Sequence, residues 1–208
     1  MISIESFVER LGSERASAIL RCPSESNARV AMEAAIAGGF RICEFTLTIP
    51  NAIGLVREFA AKSGLLVGAG TVLTVEDARA AVDAGASFLV SPVFDPEIVA
   101  EAARLGVASI PGCATPTEML AAHRAGATLL KLFPAQPASW IAQTLGPMPF
   151  LKIVPTSGVT LENCHEHLAA GAYAVGFVNS LFVPQEVACG DAAAIEARAR
   201  AMLQAARP

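Results

Sequence analysis

The chain has no predominantly apolar run, unbroken by proline or polar residues, of the ~20 residues that a bilayer-spanning helix needs. It also has no cluster of basic residues interleaved with aromatics, and its net charge is −4, which argues against nucleic acid as a partner. Its five cysteines, Cys22, Cys43, Cys113, Cys164 and Cys189, are odd in number, scattered and without CxxC spacing. That pattern excludes a disulfide framework or a thiolate zinc site and suits reduced thiols in a cytoplasmic protein. No GxGxxG follows the first apolar run, so the dinucleotide-binding version of an open doubly wound sheet lacks its fingerprint. Lysine is scarce too: three of the fifteen basic residues are lysine and twelve are arginine. One of the three, Lys131, stands in the apolar stretch LLKLFPA (129–135), where desolvating an ammonium is costly.

What is present is a regular alternation. Apolar runs at 17–21, 42–47, 65–71, 88–92, 108–112, 129–134, 150–156 and 173–179 read as strands buried on both faces of a parallel sheet. Between them lie helices with clear punctuation. Thr74 is placed to cap 74–85, Asp95-Pro96 opens and Gly106 closes 95–106, and Thr115-Pro116 with Glu118 forms a capping box. Thr160 is expected to cap a helix over 160–171. The first residues, MISIESFVERLGSER, read as an amphipathic helix rather than a signal peptide. A weak echo, AIAGGF, AVDAGASF, HRAGATLL and LAAGAYAV, ends four helices with a glycine just before alternate strands. Eight βα units without a linker predict an α/β protein, a (β/α)8 TIM barrel with an extra N-terminal helix, as one domain over 1–208.

In such a barrel the active site lies at the C-terminal ends of the strands, and two ionisable residues fall there inside apolar strands, Glu44 and Lys131. Alternation puts Lys131 on one face with Leu129 and Phe133. If that face is the interior, desolvation lowers the lysine's pKa from about 10.4 and yields the neutral amine that attacks a ketone. Glu44 could then move protons. The competing reading of the same residues is a structural Lys–Glu pair. Lys152, in FLKIVP, is the rival lysine, but it lies earlier relative to its strand end. In NCHEH (163–167), only Cys164 and His167 share a helical face, which favours a solvated helix end over a metal site. Cys113 is expected near the barrel mouth as wall, and His123 at the surface.

The blocks EFTLTIPNA, GAGTVLT, FLVSPVFDPEI, IPGCATPTE, LLKLFPA and VPTSGVT, in this order and at these spacings, resemble the KDPG/KHG aldolase family, whose members are 2-keto-3-deoxy-6-phosphogluconate and 4-hydroxy-2-oxoglutarate aldolases. The resemblance implies a (β/α)8 barrel, a homotrimer, and a class I lyase that releases pyruvate with no metal and no organic cofactor. By motif, Lys131 matches the Schiff-base lysine and Glu44 the general acid/base. Thr71 would hold the pyruvate moiety between walls formed by Pro92 and Phe133, and Arg21 would meet the substrate carboxylate. The distal substrate group would meet Thr48, Thr156, Ser157, Gly158 and Asn179. Here the chain departs from the pattern. Thr48 stands where phosphate-handling members commonly have arginine or a related polar residue, Thr156-Ser157-Gly158 replaces Thr-Gly-Gly, and Val178-Asn179 replaces Gly-Ser. The aldol chemistry is therefore expected to be intact and the substrate's distal group to differ. A plain 2-keto-4-hydroxy acid, oxaloacetate, or a non-catalytic keto-acid-binding barrel are the alternatives.

Overall fold

The computed structural model describes residues 2–207. A helix, α1 (Ile4–Glu14), precedes the first strand, as expected. The strands are β1 (Ala16–Leu20), β2 (Ile42–Thr46), β3 (Leu66–Gly70), β4 (Phe88–Val90), β5 (Ala108–Ile110), β6 (Gly112–Cys113), β7 (Leu130–Leu132), β8 (Ile153–Pro155) and β9 (Val175–Phe177). Every strand residue is buried, which is why these segments read as unbroken apolar runs rather than alternating ones. Among the described residues there are ten helices, and no helix is long and apolar enough to cross a membrane.

All strand pairings are parallel. They form a curled sheet in two parts, ordered β5-β4-β3-β2-β1-β9 and β6-β7-β8. The expected fifth strand is thus two short ones. Pro111 lies between them and has no N–H to give to a ladder, and its carbonyl instead accepts from Lys131 N at 2.9 Å. Gly112 follows because a side chain there would run into the Pro92 carbonyl. At the other junction the parts meet through an isolated parallel bridge, Thr156 to Gly176, and a Tyr173 N to Ile153 O hydrogen bond of 2.8 Å.

The two faces of the sheet carry two different cores. Ile42, Phe88, Val90, Ile110, Leu129 and Val154 point inward and pack with Phe7 and Leu11 of α1, so the N-terminal helix plugs the floor of the lumen. The Phe7 and Phe88 rings stack with centroids 4.8 Å apart, and Tyr173 Oη donates to Val8 O at 2.9 Å, fastening α1 from the side. The alternate residues, among them Phe45, Ala69, Leu130 and Leu132, face the surrounding helices.

The helix punctuation holds at Thr74, Asp95 and Thr115, each accepting a hydrogen bond from the first turn of its helix. It fails at Thr160. There the chain makes a turn, and α8 (Cys164–Ala169) starts four residues later, since Asn163 Oδ1 takes the Thr160 N–H and holds the turn closed. The sequence echo is one repeated turn. Gly39, Gly85, Gly126 and Gly171 all have positive φ (93 to 117°), and the residue after each donates to the carbonyl five positions earlier.

Candidate active site

β2 and β7 deliver the two ionisable side chains to the lumen. Glu44 lies in register with Ile19 of β1 and Gly68 of β3, and Lys131 with Gly112 of β6 and Val154 of β8. Both are buried, at 2% and 7% exposure, and they share one small cavity of about 20 Å³ whose lining is otherwise mostly apolar. The register explains the burial: Lys131 alternates with Leu130 and Leu132, which pack outward among the helices, and its Nζ lies 5.0 Å from the centroid of the Phe133 ring.

The carboxylate is accommodated by a missing side chain. A Cβ on Gly70 would overlap Glu44 Oε1 and stand 2.7 Å from its carboxyl carbon, so glycine at this position makes room for the acid. Oε1 is buried without a hydrogen-bond partner, as is Thr156 Oγ1. Burial pushes the Glu44 carboxyl above its ordinary range, partly offset by the charges of Lys131 and Arg21. Burial likewise pushes the Lys131 ammonium below its ordinary range; the Glu44 charge opposes this and Arg21 adds to it. The site therefore favours a neutral amine beside a carboxyl group able to exchange a proton, the pairing that carbonyl addition requires.

The remaining expected residues form a rim. Arg21, just past β1, reaches over the end of β2, and its Nη2 donates to Thr71 Oγ1 at 3.4 Å. Thr71 follows β3 with φ of +59°, a left-handed conformation that costs a β-branched residue and is held by the surrounding structure. Thr48 is exposed, and its hydroxyl pairs at 2.8 Å with that of Thr46. Pro92 is half-buried beyond β4, with its carbonyl against Gly112. Of the distal set, Thr156 alone lines the lumen cavity; Ser157, Gly158 and Asn179 are exposed beyond β8 and β9, the first two with φ of +59° and +123°.

Several secondary expectations change. Cys113 does not face the mouth. It is buried among Met119, Leu130 and Leu132 on the helix side, where burial raises its thiol to about 12. Cys164 and His167 do share a face, but it is a buried one rather than a solvated helix end, and burial lowers the His167 pKa. Lys152 is exposed. His123 is at the surface, its ring 4.8 Å from that of Phe150. Ser17, which lines the cavity beside Glu44 and Lys131, escaped notice in the sequence. The signal that could have found it is period two: 17, 19 and 21 share one face of β1.

Residues 8–198 match the family model described as KDPG and KHG aldolase. The 2-dehydro-3-deoxy-phosphogluconate aldolase of Treponema pallidum (strain Nichols) is 39% identical over 179 residues, 82% of this chain and 83% of that one. A probable 2-dehydro-3-deoxy-6-phosphogalactonate aldolase of Rhizobium meliloti (strain 1021) is 36% identical over 172 residues, covering 80% of this chain and 81% of the relative. Among solved structures, a KDPG aldolase from Legionella pneumophila, with pyruvate captured as a covalent carbinolamine intermediate, superposes with a TM-score of 0.83 at 25% identity, over 94% of this chain and 97% of the other.

Proposed function

The chain belongs to the KDPG and KHG aldolase family, and from that premise we propose that Lys131 forms the Schiff base and Glu44 moves the protons in its reaction. The protein is a carbon–carbon lyase, a class I pyruvate aldolase. The observation that carries the residue assignment is the shared burial of Lys131 and Glu44 in one lumen cavity, with the lysine's pKa lowered and the acid's raised.

The neutral Nζ of Lys131 adds to C2 of a 2-keto-4-hydroxy acid, and loss of water gives an imine. Glu44 takes the C4 hydroxyl proton, directly or through water, as the C3–C4 bond breaks; the aldehyde leaves and the bond's electrons flow into the imine to form an enamine. Protonation at C3 and hydrolysis release pyruvate and restore the amine. Thr71 and Arg21 hold the pyruvate carboxylate end, and Pro92 with Phe133 walls the reacting carbons. Thr48, Thr156, Ser157, Gly158 and Asn179 receive the distal group. The substrate is a 2-keto-3-deoxy-6-phosphogluconate-like acid, and the aldehyde is glyceraldehyde 3-phosphate when the substrate is phosphorylated. A second reading, a plain substrate such as 4-hydroxy-2-oxoglutarate or oxaloacetate, is favoured by Val178, which directly follows β9 where the family pattern has glycine. The working unit is a closed (β/α)8 barrel in one domain over 1–208, assembled as a homotrimer; the bridge at Thr156–Gly176 and chain continuity through Pro111 support closure.

Pyruvate release from phosphorylated and plain 2-keto-4-hydroxy acids tests this reading. Turnover of at least one of them, abolished in Lys131→Ala, is expected. Turnover of none, or unchanged turnover in Lys131→Ala, would overturn it.

A further inference from the structure

The lumen cavity has a polar residue, Ser17, to which the proposed cycle gives no role. Its lining residues are apolar apart from Ser17, Glu44, Lys131 and Thr156. Ser17 on β1 pairs with Gly176 on β9, and Gly176 bridges to Thr156 beyond β8, so the serine and the threonine flank the same glycine. A Cβ on Gly176 would stand 2.6 Å from Thr156 Cγ2 and 3.5 Å from Ser17 Oγ, so both side chains border the gap the glycine leaves. Thr156 Oγ1 is fully buried without a hydrogen-bond partner, and Ser17 is itself 93% buried in a lumen otherwise built from Ile, Val, Leu and Phe. A cavity of about 20 Å³ has room for about one water, and a buried water requires two to four polar partners. The lumen meets both conditions, whereas an alanine at position 17 would fill the same place without a polar group.

We propose that Ser17 and Thr156 hold one buried water beneath Lys131, and that Ser17 is thereby a positioning residue for the aldolase reaction assigned above. The water satisfies the Thr156 hydroxyl from below and fixes its rotamer. Thr156 lies one inward-facing position past Val154, the register partner of Lys131, and lines the same cavity as the lysine, so the water and the hydroxyl it orders carry the effect of Ser17 to Lys131. The inference rests on the Schiff-base reading, and its test separates the two.

A high-resolution crystal structure of the wild-type protein is expected to show one water within hydrogen-bond distance of Ser17 Oγ and Thr156 Oγ1. In Ser17→Val the added methyl groups displace it. Kinetically, Ser17→Val and Ser17→Ala should lower kcat roughly tenfold, the effect of one lost buried hydrogen bond, with KM changed less than about twofold and the acid limb of the kcat–pH profile displaced. Ser17→Thr, which keeps the hydroxyl, should restore both kcat and the profile. A dry wild-type cavity overturns the proposal. So does wild-type kcat with an unmoved pH profile in a folded Ser17→Ala protein, which also serves if Ser17→Val fails to fold. Borohydride trapping of pyruvate on Lys131 in the wild type reports on the Schiff-base reading alone, so failure of that reading is distinguishable from failure of this one.

Discussion

Gly70 shows how closely the site is built at the level of single atoms. Its missing side chain is the space that the Glu44 carboxyl occupies, so Gly70→Ala pushes the acid aside without removing any polar group. A displacement of about 1 Å in a catalytic group can cost about a hundredfold in rate, and steady-state pyruvate release should show a loss of that order. Wild-type turnover in Gly70→Ala would contradict the role given to Glu44. The charges give a second prediction. Glu44 raises the Lys131 pKa against the effect of burial. Removing the anion in Glu44→Gln therefore lowers the lysine's pKa further. Borohydride trapping of pyruvate, followed against pH, should persist to lower pH in Glu44→Gln than in the wild type. A midpoint that stays in place, or moves upward, would contradict this charge coupling.

At the level of elements, the repeated glycine turn carries its own cost. Gly126 has φ of +93° and open space where a Cβ would project. Gly126→Ala therefore reports backbone strain alone, and chemical denaturation should show a loss of about 1–2 kcal/mol. Between α4 (Val75–Asp83) and α5 (Pro96–Leu105), the buried Glu101 accepts from Arg104 and Arg79, and these hydrogen bonds hold its pKa down at about 2. Its folded value lies below the unfolded one, so the unfolded chain binds more protons in the interval between them. The stabilisation is complete above pH 4.5 and is lost as pH falls through about 2. Melting temperature should fall less steeply over that window in Glu101→Gln than in the wild type; identical slopes would contradict the assignment. Most of these elements were legible in the sequence, because continuous apolar runs and cap residues act locally. The misreadings arose where distant atoms decide. Pro111 splits a strand whose far half pairs with β7, Asn163 rather than Thr160 sets the start of α8, and Cys113 faces outward because it pairs in register with the outward-facing Leu132 of β7. The candidate site was legible by the same token: a lysine and a glutamate in apolar strands are local anomalies. Ser17 is small and unremarkable until the strands on either side of Gly176 come together.

At the scale of the whole molecule, the N-terminal helix closes the floor of the lumen, so substrate must enter from the strand C-terminal ends, where Arg21, Thr71 and Phe133 stand. Leu73, Val93 and Phe150 remain exposed, and burial of such side chains between copies fits the proposed homotrimer. Light scattering on the purified protein should give three copies of the 21.5 kDa chain; a monomer would contradict it. The proposed assignment of the chemistry to one lysine of three is open to direct test. It is tested most directly by incubating the protein with pyruvate, reducing with borohydride and locating the adduct by peptide mass spectrometry. A single reduced adduct on Lys131, absent from Lys131→Ala, is expected. An adduct on Lys62 or Lys152 instead, or none at all, would contradict it.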